Sequence, residues 1–518
     1  MTVTQEFGQQ ANGQWTLTAD DMAVELSLFS FLQKAIVVRH TRLGHYEFTP
    51  IPDGAFSIYT KAEVEKKAKY RDQTFWTANR PIALSGSERH MSRFIHELKQ
   101  GSAYQYIMAG LKLLTENFIE TGSSTHPSKV DIGPVNTLLT SNFIDGFRTR
   151  ISAQTTGNLN PHLFLSGYYS HGWRSHKNYY NGEITYSFNR KDYLPDEFPM
   201  RYVRLASSYD VCAPTDRFLT TDKDNVFTSL KWTSVDKMML YRRHTVSLVR
   251  EERWGLRTTL SFKQETDKAR GQLHFIPLST KEEQSFKTTE LSLQLRYAPG
   301  EKFVNTKQRR RPLNRDVPVI TLSHTLGMKG LFGAQYHSNM TDLSLFSRLW
   351  VKSWGKIDID IKAGAQWNQV PYPLLCMPAA NLSYITQYST FGLINNMEFL
   401  NDRYASLMLT WDLNGKIFNR LPLIKKLKWR EYIGIRTLWG TLTDKNNPYQ
   451  LSNYTSNTLM AFPEGSYQMD TNRPYVEVLA GVHNVFRFFH IEYVRRLNYL
   501  HLPTAHKQGI RVKFSLKF

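Results

Sequence analysis

The feature that most constrains the fold of this chain is a strict alternation of apolar and polar residues that recurs many times. In the final stretch GIRVKFSLKF, apolar side chains occupy one face from Ile510 onward, and basic or hydroxyl side chains occupy the other. The same period of two marks segments that begin near Leu256, Leu291, Ile357 and Val476. This period is typical of a β-strand with two unlike faces. Each segment is about ten residues long, which is enough to cross a bilayer when the strand is tilted.

Counting such segments from Phe147 onward gives about sixteen strands, an even number, as bacterial membrane barrels require. The seventh strand is expected to begin near residue 269, and residues 120–136 are expected to form a polar connector into the barrel. Three connections are long, which fits a barrel with short turns on one rim and long loops on the other. They are 211–238, 368–396 and 442–473.

We therefore predict an all-β fold, a transmembrane antiparallel β-barrel of about 16 strands over residues 136–518. A periplasmic β-rich segment over 1–60 and a helical linker region over 61–135, with two or three helices, are expected to precede it. The first residues, MTVTQEFGQQ, have neither the basic start nor the apolar core of an export signal. We expect the signal and part of the N-terminal domain to be missing from this sequence, and the protein to lie in the outer membrane.

Composition alone does not separate this fold from a soluble one. Mean hydropathy is −0.44, but a membrane barrel alternates lipid-facing and lumen-facing residues, so its average is polar. No run of 18 apolar residues indicates a transmembrane helix. The soluble alternative is a large β-sandwich or propeller. No blade-like repeat is visible, and the length and regularity of the strands favour the membrane barrel.

The last strand ends on an aromatic residue, a pattern that outer-membrane assembly machinery recognises. We predict that the strand is a barrel assembly signal and that this machinery and outer-membrane lipids are partners of the chain. The outward residues of the predicted signal are Ile510, Val512, Phe514, Leu516 and Phe518.

The net charge of +20 is spread through the strands and is not gathered in one patch, which argues against nucleic-acid binding. Several basic residues fall on the polar faces of strands and are candidate lumen charges. They either attract anions into the lumen or pair with acids of neighbouring strands and stiffen the wall. Acids on the same faces, such as Asp358 and Glu477, favour the second interpretation. The candidates are Arg257, Arg296, Lys362, Arg511, Lys513 and Lys517.

A basic stretch over residues 416–431, KIFNRLPLIKKLKWRE, mixes cations such as Arg420, Lys425, Lys426, Lys428 and Arg430 with apolar residues. It is expected either to bind lipid phosphates at the barrel rim or to fold inward and plug the lumen.

No catalytic constellation stands out. The chain lacks H-E-x-x-H, G-x-S-x-G and a phosphate-binding glycine loop. His244, His324 and His483 are isolated in strand-like segments, and Cys212 with Cys376 shows no metal-ligand spacing. We therefore predict no catalytic residues, no metal and no cofactor.

Nine segments resemble, in order, a family of Gram-negative outer-membrane barrels of unassigned function, the carboxypeptidase-like regulatory domain-containing proteins. The resemblance implies a signal peptide and a β-sandwich ahead of the region seen here, and it does not imply peptidase activity. The segments are FWTANRPIALSGSE, FIDGFRTRI, LRYAPGEKF, PVITLSHTLGMKG, WNQVPYPLL, MEFLNDRYASL, FNRLPLIKKLKWRE, LTDKNNP and PYVEVLAGVHNVF with YVRRLNYL.

The barrel is also distantly similar to the outer-membrane assembly and translocation superfamily, whose barrels have sixteen strands. The stretch GFRTRI resembles the opening strand of that group, but its VRG(F/Y) lumen motif is absent here, which argues against an insertase or secretion role. Three functions remain open. The first is a non-enzymatic role in envelope biogenesis or transport, the second a barrel hydrolase acting on lipid or peptide, and the third a scaffold that docks a periplasmic protein through residues 1–120.

Overall fold

The computed structural model describes residues 2–26, 35–50, 71–80 and 116–514, without 124–125, 220–223, 281, 284 and 487, and six isolated residues between 86 and 113. The chain divides into two compact units, Met1–Gly110 and Leu111–Phe518. None of the helices in the described ranges is long and apolar enough to cross a membrane.

The described residues of the first unit include a three-stranded antiparallel sheet and a short helix. The strands are β1 (Thr2–Gln9), β2 (Trp15–Leu26) and β3 (Ala35–Arg42), in that order in the sheet, and the helix is Gln73–Asn79. Asp72 caps this helix, because its side chain accepts a hydrogen bond from the Phe75 N–H. The boundaries predicted at residues 60 and 135 remain predictions.

In the described residues, the second unit is a closed antiparallel barrel of eighteen strand segments, which confirms the predicted fold class. These strands follow one another around the wall in chain order, and the two-stranded hairpin β14–β15 lies outside that order. The strands are β4 (Ile119–Glu120), β5 (Val130–Ile132), β6 (Leu139–Asn142), β7 (Gly146–Thr155), β8 (Leu163–Gly172), β9 (Lys177–Ser187), β10 (Arg201–Cys212), β11 (Lys237–Glu251), β12 (Leu256–Gly271), β13 (Phe286–Tyr297), β14 (Phe303–Asn305), β15 (Arg310–Pro312), β16 (Val319–Gly327), β17 (Ser338–Trp350), β18 (Lys356–Gln366), β19 (Arg403–Asp412), β20 (Arg430–Thr441), β21 (Tyr475–Val485), β22 (Phe489–Arg496) and β23 (Gln508–Phe514).

Two details of the predicted strand map were wrong. The expected connector contains β5, and β5 together with the following β6 forms the first position of the wall. β6 pairs with the first half of β7, and β5 pairs with its second half. The strand expected near residue 269 is the end of β12, which pairs with β11 as far as Gly271. The end of β12 was misassigned because polar residues lie on both of its faces, with Thr266 and Lys268 on one and Glu265 and Asp267 on the other. β5 and β6 were missed because they have only three and four residues, too few to show an alternation. Fifteen strands of seven or more residues follow the first position.

The two faces of the wall differ in chemistry. Outward side chains are apolar and exposed, as Leu248, Leu293, Leu343 and Ile433 illustrate with exposed fractions between 42% and 47%. Inward side chains are largely polar, and many are buried. A soluble sheet would place its apolar face inward, so this wall has the inverted arrangement of a barrel surrounded by apolar solvent.

Connections alternate between the two ends of the barrel because successive strands are antiparallel. We call the end at which β23 finishes the C-terminal rim and the opposite end the far rim. The three longest connections, 213–236, 367–402 and 442–474, all lie at the far rim. Side chains from these connections join the far ends of wall strands in two buried apolar clusters, so the far mouth of the barrel is covered. Cluster members include Leu273, Phe275, Tyr372, Phe391, Met397, Met460 and Tyr499.

Candidate functional site: the occupied lumen

The connection between β18 and β19, residues 367–402, runs into the barrel, and we call it the lumen insert. Its sequence contains only two charged residues, Glu398 and Asp402. Most of its side chains from Val370 to Asp402 are buried. A segment with so few charges loses little hydration on burial, provided that its polar groups find partners.

One buried ion pair joins the insert to the wall. Arg496 of β22 donates to Glu398 Oε1 over 2.7 Å, and both side chains have no exposed surface. Arg496 also donates to the carbonyls of Asn498 and Tyr499, and Glu398 accepts from the Asn395 N–H at 2.8 Å. Burial raises the pKa of the Glu398 carboxyl above its usual range, although the Arg496 guanidinium favours the ionised form. Removing either partner would leave a buried charge without compensation.

A second contact holds the insert by its backbone. The carboxylate of Glu477, on β21, accepts the N–H groups of Gly392 and Leu393 at 2.7 and 3.1 Å. Arg436 of β20 lies between Glu477 and Glu492 and donates to them at 3.0 and 3.1 Å. A carboxylate that accepts backbone N–H groups forms charge-assisted hydrogen bonds, which are among the stronger ones in proteins.

Three of the six candidate lumen charges contact the insert. Lys362 donates to the Ser389 carbonyl at 3.3 Å, Arg511 donates to the Gly392 carbonyl, and Lys513 donates to the Tyr388 hydroxyl. Arg257 and Arg296 line a separate cavity between β10 and β13. Lys517 lies outside the described residues.

Pairs of the kind expected for a stiffened wall are also present. Arg348 bonds to Asp358 across β17 and β18 at 2.5 Å, and Lys263 bonds to Glu290 across β12 and β13 at 2.8 Å. Asp360, by contrast, accepts from the Ser389 hydroxyl of the insert. The lumen charges therefore serve both the wall and the insert.

Two internal segments connect the first and last positions of the wall through backbone hydrogen bonds. The Val512 N–H and carbonyl of β23 bond to Tyr384 and Thr386 of the insert, each at 2.8 Å. Tyr384 in turn donates its N–H to the Leu230 carbonyl at 2.9 Å, and the Val226 N–H donates to the Asn136 carbonyl at 2.8 Å. A continuous series of backbone hydrogen bonds thus runs from residue 136 through segments 226–230 and 384–386 to β23.

The hairpin β14–β15 extends from the C-terminal rim toward the opposite part of the wall. It leaves the wall between β13 and β16, yet its tip bonds to β4, β5 and β7. Lys307 donates to Glu120 at 3.0 Å, Gln308 donates to Asp131 at 2.6 Å, and Gln154 donates to Gln308 at 2.7 Å. The hairpin therefore crosses the lumen at the end opposite to the apolar clusters.

The predicted assembly signal is described only in part. Ile510 and Phe514 are exposed at 57% and 46% on the outward face of β23. Leu516 and Phe518 lie outside the described residues. The role of this strand as a signal remains a prediction.

The three histidines named from the sequence lie in different surroundings. His244 is exposed and shares the outward face of β11 with Val246, and the His324 ring bonds to the Thr341 hydroxyl at 3.0 Å. His483 stacks on Tyr432 with ring centroids 4.0 Å apart. Within the described ranges, no group of three or more His, Cys, Asp or Glu residues could hold a metal ion. Cys212 and Cys376 are buried and are not joined in a disulfide.

Sequence reasoning missed the residues that hold the insert, namely Gly392, Glu398, Arg436, Glu492 and Arg496. It named the loop 368–396 only as a long connection. The signal that could have identified the insert is its near absence of charge over a long stretch.

The stretch 416–431 does not enter the lumen. Its helix, Pro422–Leu427, lies at the C-terminal rim, and Leu423 and Leu427 are exposed at 80% and 53%. The expectation that this stretch plugs the lumen was wrong, because its six cations have no acidic residue among them before Glu431 and would all lose hydration inside the barrel. Whether it binds lipid phosphates remains a prediction.

Part of the chain matches a known family model. Residues 243–455 match the model described as "Family of unknown function (DUF5686) C-terminal domain". That description does not include the carboxypeptidase-like name, which remains an expectation. No curated protein matches the chain.

Among solved structures, the chain is similar to BamA from Haemophilus ducreyi lacking POTRA domains 1-3, with a TM-score of 0.45 and 9% identity over 79% of this chain and 78% of that one. It is similar to CdiB from Acinetobacter baumannii with a TM-score of 0.36 and 11% identity, over 76% of this chain and 63% of that one. For CdiB from Escherichia coli the TM-score is 0.39 and the identity 12%, over 73% and 60%. The chain therefore spans less than two thirds of either CdiB chain.

Proposed function

We propose that this chain is an outer-membrane β-barrel protein that acts in envelope biogenesis or gated transport, without catalysis, and that its own insert keeps its lumen closed. The observation that carries the proposal is the lumen insert, which is buried inside the wall and tied to it by the Glu398–Arg496 pair and by Glu477.

The membrane location rests on the exposed apolar face of the wall. Exposed aliphatic and aromatic side chains recur on the wall strands from β7 to β23, for example Ile151, Leu205, Leu322 and Ile491. Monomeric soluble proteins rarely expose contiguous apolar surface of this extent. A closed barrel satisfies its backbone hydrogen bonds internally, which is the condition for crossing a lipid bilayer with strands.

A gated role rests on the two elements that occupy the lumen. A diffusion porin keeps a water-filled channel through its barrel. Here apolar clusters cover the far mouth, the insert occupies the interior, and the hairpin β14–β15 crosses the other end. A barrel closed in this way favours assembly or scaffolding work, or transport that requires an opening step.

The membrane location is tested by heat-modifiable gel migration of detergent-extracted protein. A folded barrel is expected to migrate faster before boiling than after it. A chain that remains in solution without detergent and shows no such shift would contradict the proposal.

The role is tested in cells from which the gene is deleted. We expect altered outer-membrane protein or lipid content, restored by the wild-type chain. An unchanged envelope would count against envelope biogenesis. Turnover of lipid or peptide by the purified protein would favour the hydrolase alternative, and a periplasmic cross-link that disappears when residues 1–120 are removed would favour the scaffold.

A further inference from the structure

A cavity of about 650 Å³ lies between the inner faces of β10 to β13 and the hairpin β14–β15. Arginine dominates its lining, and a single acidic residue, Asp196, takes part. The apolar part of the lining includes Met200, Val249 and Phe303. The arginines are Arg204, Arg257, Arg296, Arg309 and Arg310.

Most of these arginines already have carboxylate partners. Arg310 bonds to Glu251 at 2.7 Å, Arg296 bonds to Glu301 at 2.7 Å, and Arg204 bonds to Asp196 at 3.3 Å. These pairs fix the guanidinium groups in place. Because these acids are already paired, they do not neutralise the remaining arginines of the cavity.

Arg257 is left with an excess of positive charge around it. Its direct neighbours across the sheet are Glu251 on β11 and Arg296 on β13. Glu251 is engaged by Arg310, and in the described part of the chain no hydrogen bond or salt bridge reaches the Arg257 guanidinium. Like charges directly opposite each other destabilise a pair of strands, so Arg257 beside Arg296 weakens the wall unless an anion lies between them.

Aromatic rings hold the arginine forks in orientation. The Arg310 guanidinium lies over the Phe303 ring at 3.7 Å from its centroid, and Arg204 lies over Tyr202 at 4.9 Å. A planar guanidinium fork fixed in this way suits two parallel hydrogen bonds to a phosphate group.

We propose that this cavity binds a phosphoryl group, with Arg257 as the principal ligand and Arg296 and Arg310 beside it. The volume lies within the range of small-molecule sites and exceeds what one phosphate ion needs. The ligand class is therefore a pyrophosphate or a phosphate monoester that carries a further group. This inference goes beyond the proposed function, because the arginines that line the cavity are not the residues that hold the insert.

The test measures binding to the full chain in detergent at low ionic strength. Inorganic pyrophosphate is one probe, and mixed micelles containing phosphatidic acid, with phosphatidylcholine micelles as the reference, are the other. Saturable binding and a rise in thermal stability with ligand concentration are expected. R257Q is expected to weaken binding at least tenfold, whereas R311Q, which removes an exposed arginine of β15 outside the lining, is expected to change it less than twofold.

The unliganded variant provides a second readout. Because R257Q removes a repulsion from Arg296, the variant is expected to be at least as heat-stable as the wild type without ligand. If Arg257 only supported the wall, its replacement would lower the thermal stability instead. Binding of pyrophosphate identifies a soluble phosphate source, and binding confined to phosphatidic acid identifies a lipid headgroup. Absence of saturable binding to both probes, or equal losses in R257Q and R311Q, would overturn the proposal.

Discussion

The two connections of β19 lie at opposite ends of the barrel and have opposite environments. Residues 367–402 enter the lumen with two acidic residues and no basic one, whereas residues 413–429 remain at the C-terminal rim with five basic residues and no acidic one. Both contain many apolar side chains. The number of charges that would lose hydration therefore distinguishes the connection that is buried from the one that is exposed.

The buried connection also brings its polar groups to partners on the wall. Glu398 meets Arg496, and the N–H groups of Gly392 and Leu393 meet Glu477. The rim connection has its apolar side chains in contact with the surroundings, with Leu423 the most exposed of them. The first arrangement is suited to closing a lumen and the second to contact with a membrane surface.

The largest effect is expected from E398A. It leaves Arg496 as an unpaired buried cation and should cost about 3–5 kcal/mol of stability, so the lumen insert should leave the barrel or the barrel should fail to fold. Loss of heat-modifiable migration, together with the midpoint of urea unfolding, measures this. E464A removes an exposed acid of the 442–474 connection and should leave both unchanged. Equal stability of E398A and E464A would mean that the buried pair does not anchor the insert.

A smaller effect is expected from E477Q. The amide keeps the shape of the side chain but removes the charge that Arg436 and two backbone N–H groups share, so a loss of about 2–3 kcal/mol is expected. The unfolding midpoint should fall while the barrel still folds. A variant as stable as the wild type would show that the backbone contact of the insert is not important for closure.

The thiol of Cys376 reports the position of the insert without changing it. This side chain is buried, and burial raises the pKa of the thiol, so a maleimide should react with it very slowly. In a chain with Cys212 replaced by alanine, E477Q should accelerate labelling of Cys376 several-fold. If Cys376 were labelled rapidly in the chain that retains Glu477, the insert would not be held inside the barrel as described.

The smallest effect concerns the rim. Neutralising Lys425 and Lys426 to glutamine should weaken the association of the barrel with anionic lipid by about 1 kcal/mol for each residue. Retention of phosphatidylglycerol by the purified protein measures this. K329Q, on the far rim, is the matched control. If the double variant retained as much lipid as K329Q, the rim helix would not be a lipid contact.

The alternation within single strands was enough to predict the barrel. Successive side chains point to opposite faces of a strand, so the sequence shows this period wherever one face is apolar and the other polar. The alternation failed at β5 and β6, which have only three and four residues, and at the end of β12, where both faces are polar. The contacts of the lumen insert could not be predicted for a different reason. Its partners Arg436, Glu477 and Arg496 come from strands far along the chain, and only the closed wall brings them to Gly392 and Glu398.

The central claim, that the lumen insert closes the barrel, is tested most directly by electrical conductance in a planar bilayer. A Cβ added at Gly392 would lie 3.3 Å from both Arg436 and Val494, so G392W should displace the insert. G182W adds the same side chain on the outward face of β9, where nothing lies within 4 Å. We predict that the wild type and G182W show little steady current and that G392W opens frequent large channels. A wild-type barrel with a large steady current, unchanged in G392W, would contradict the claim.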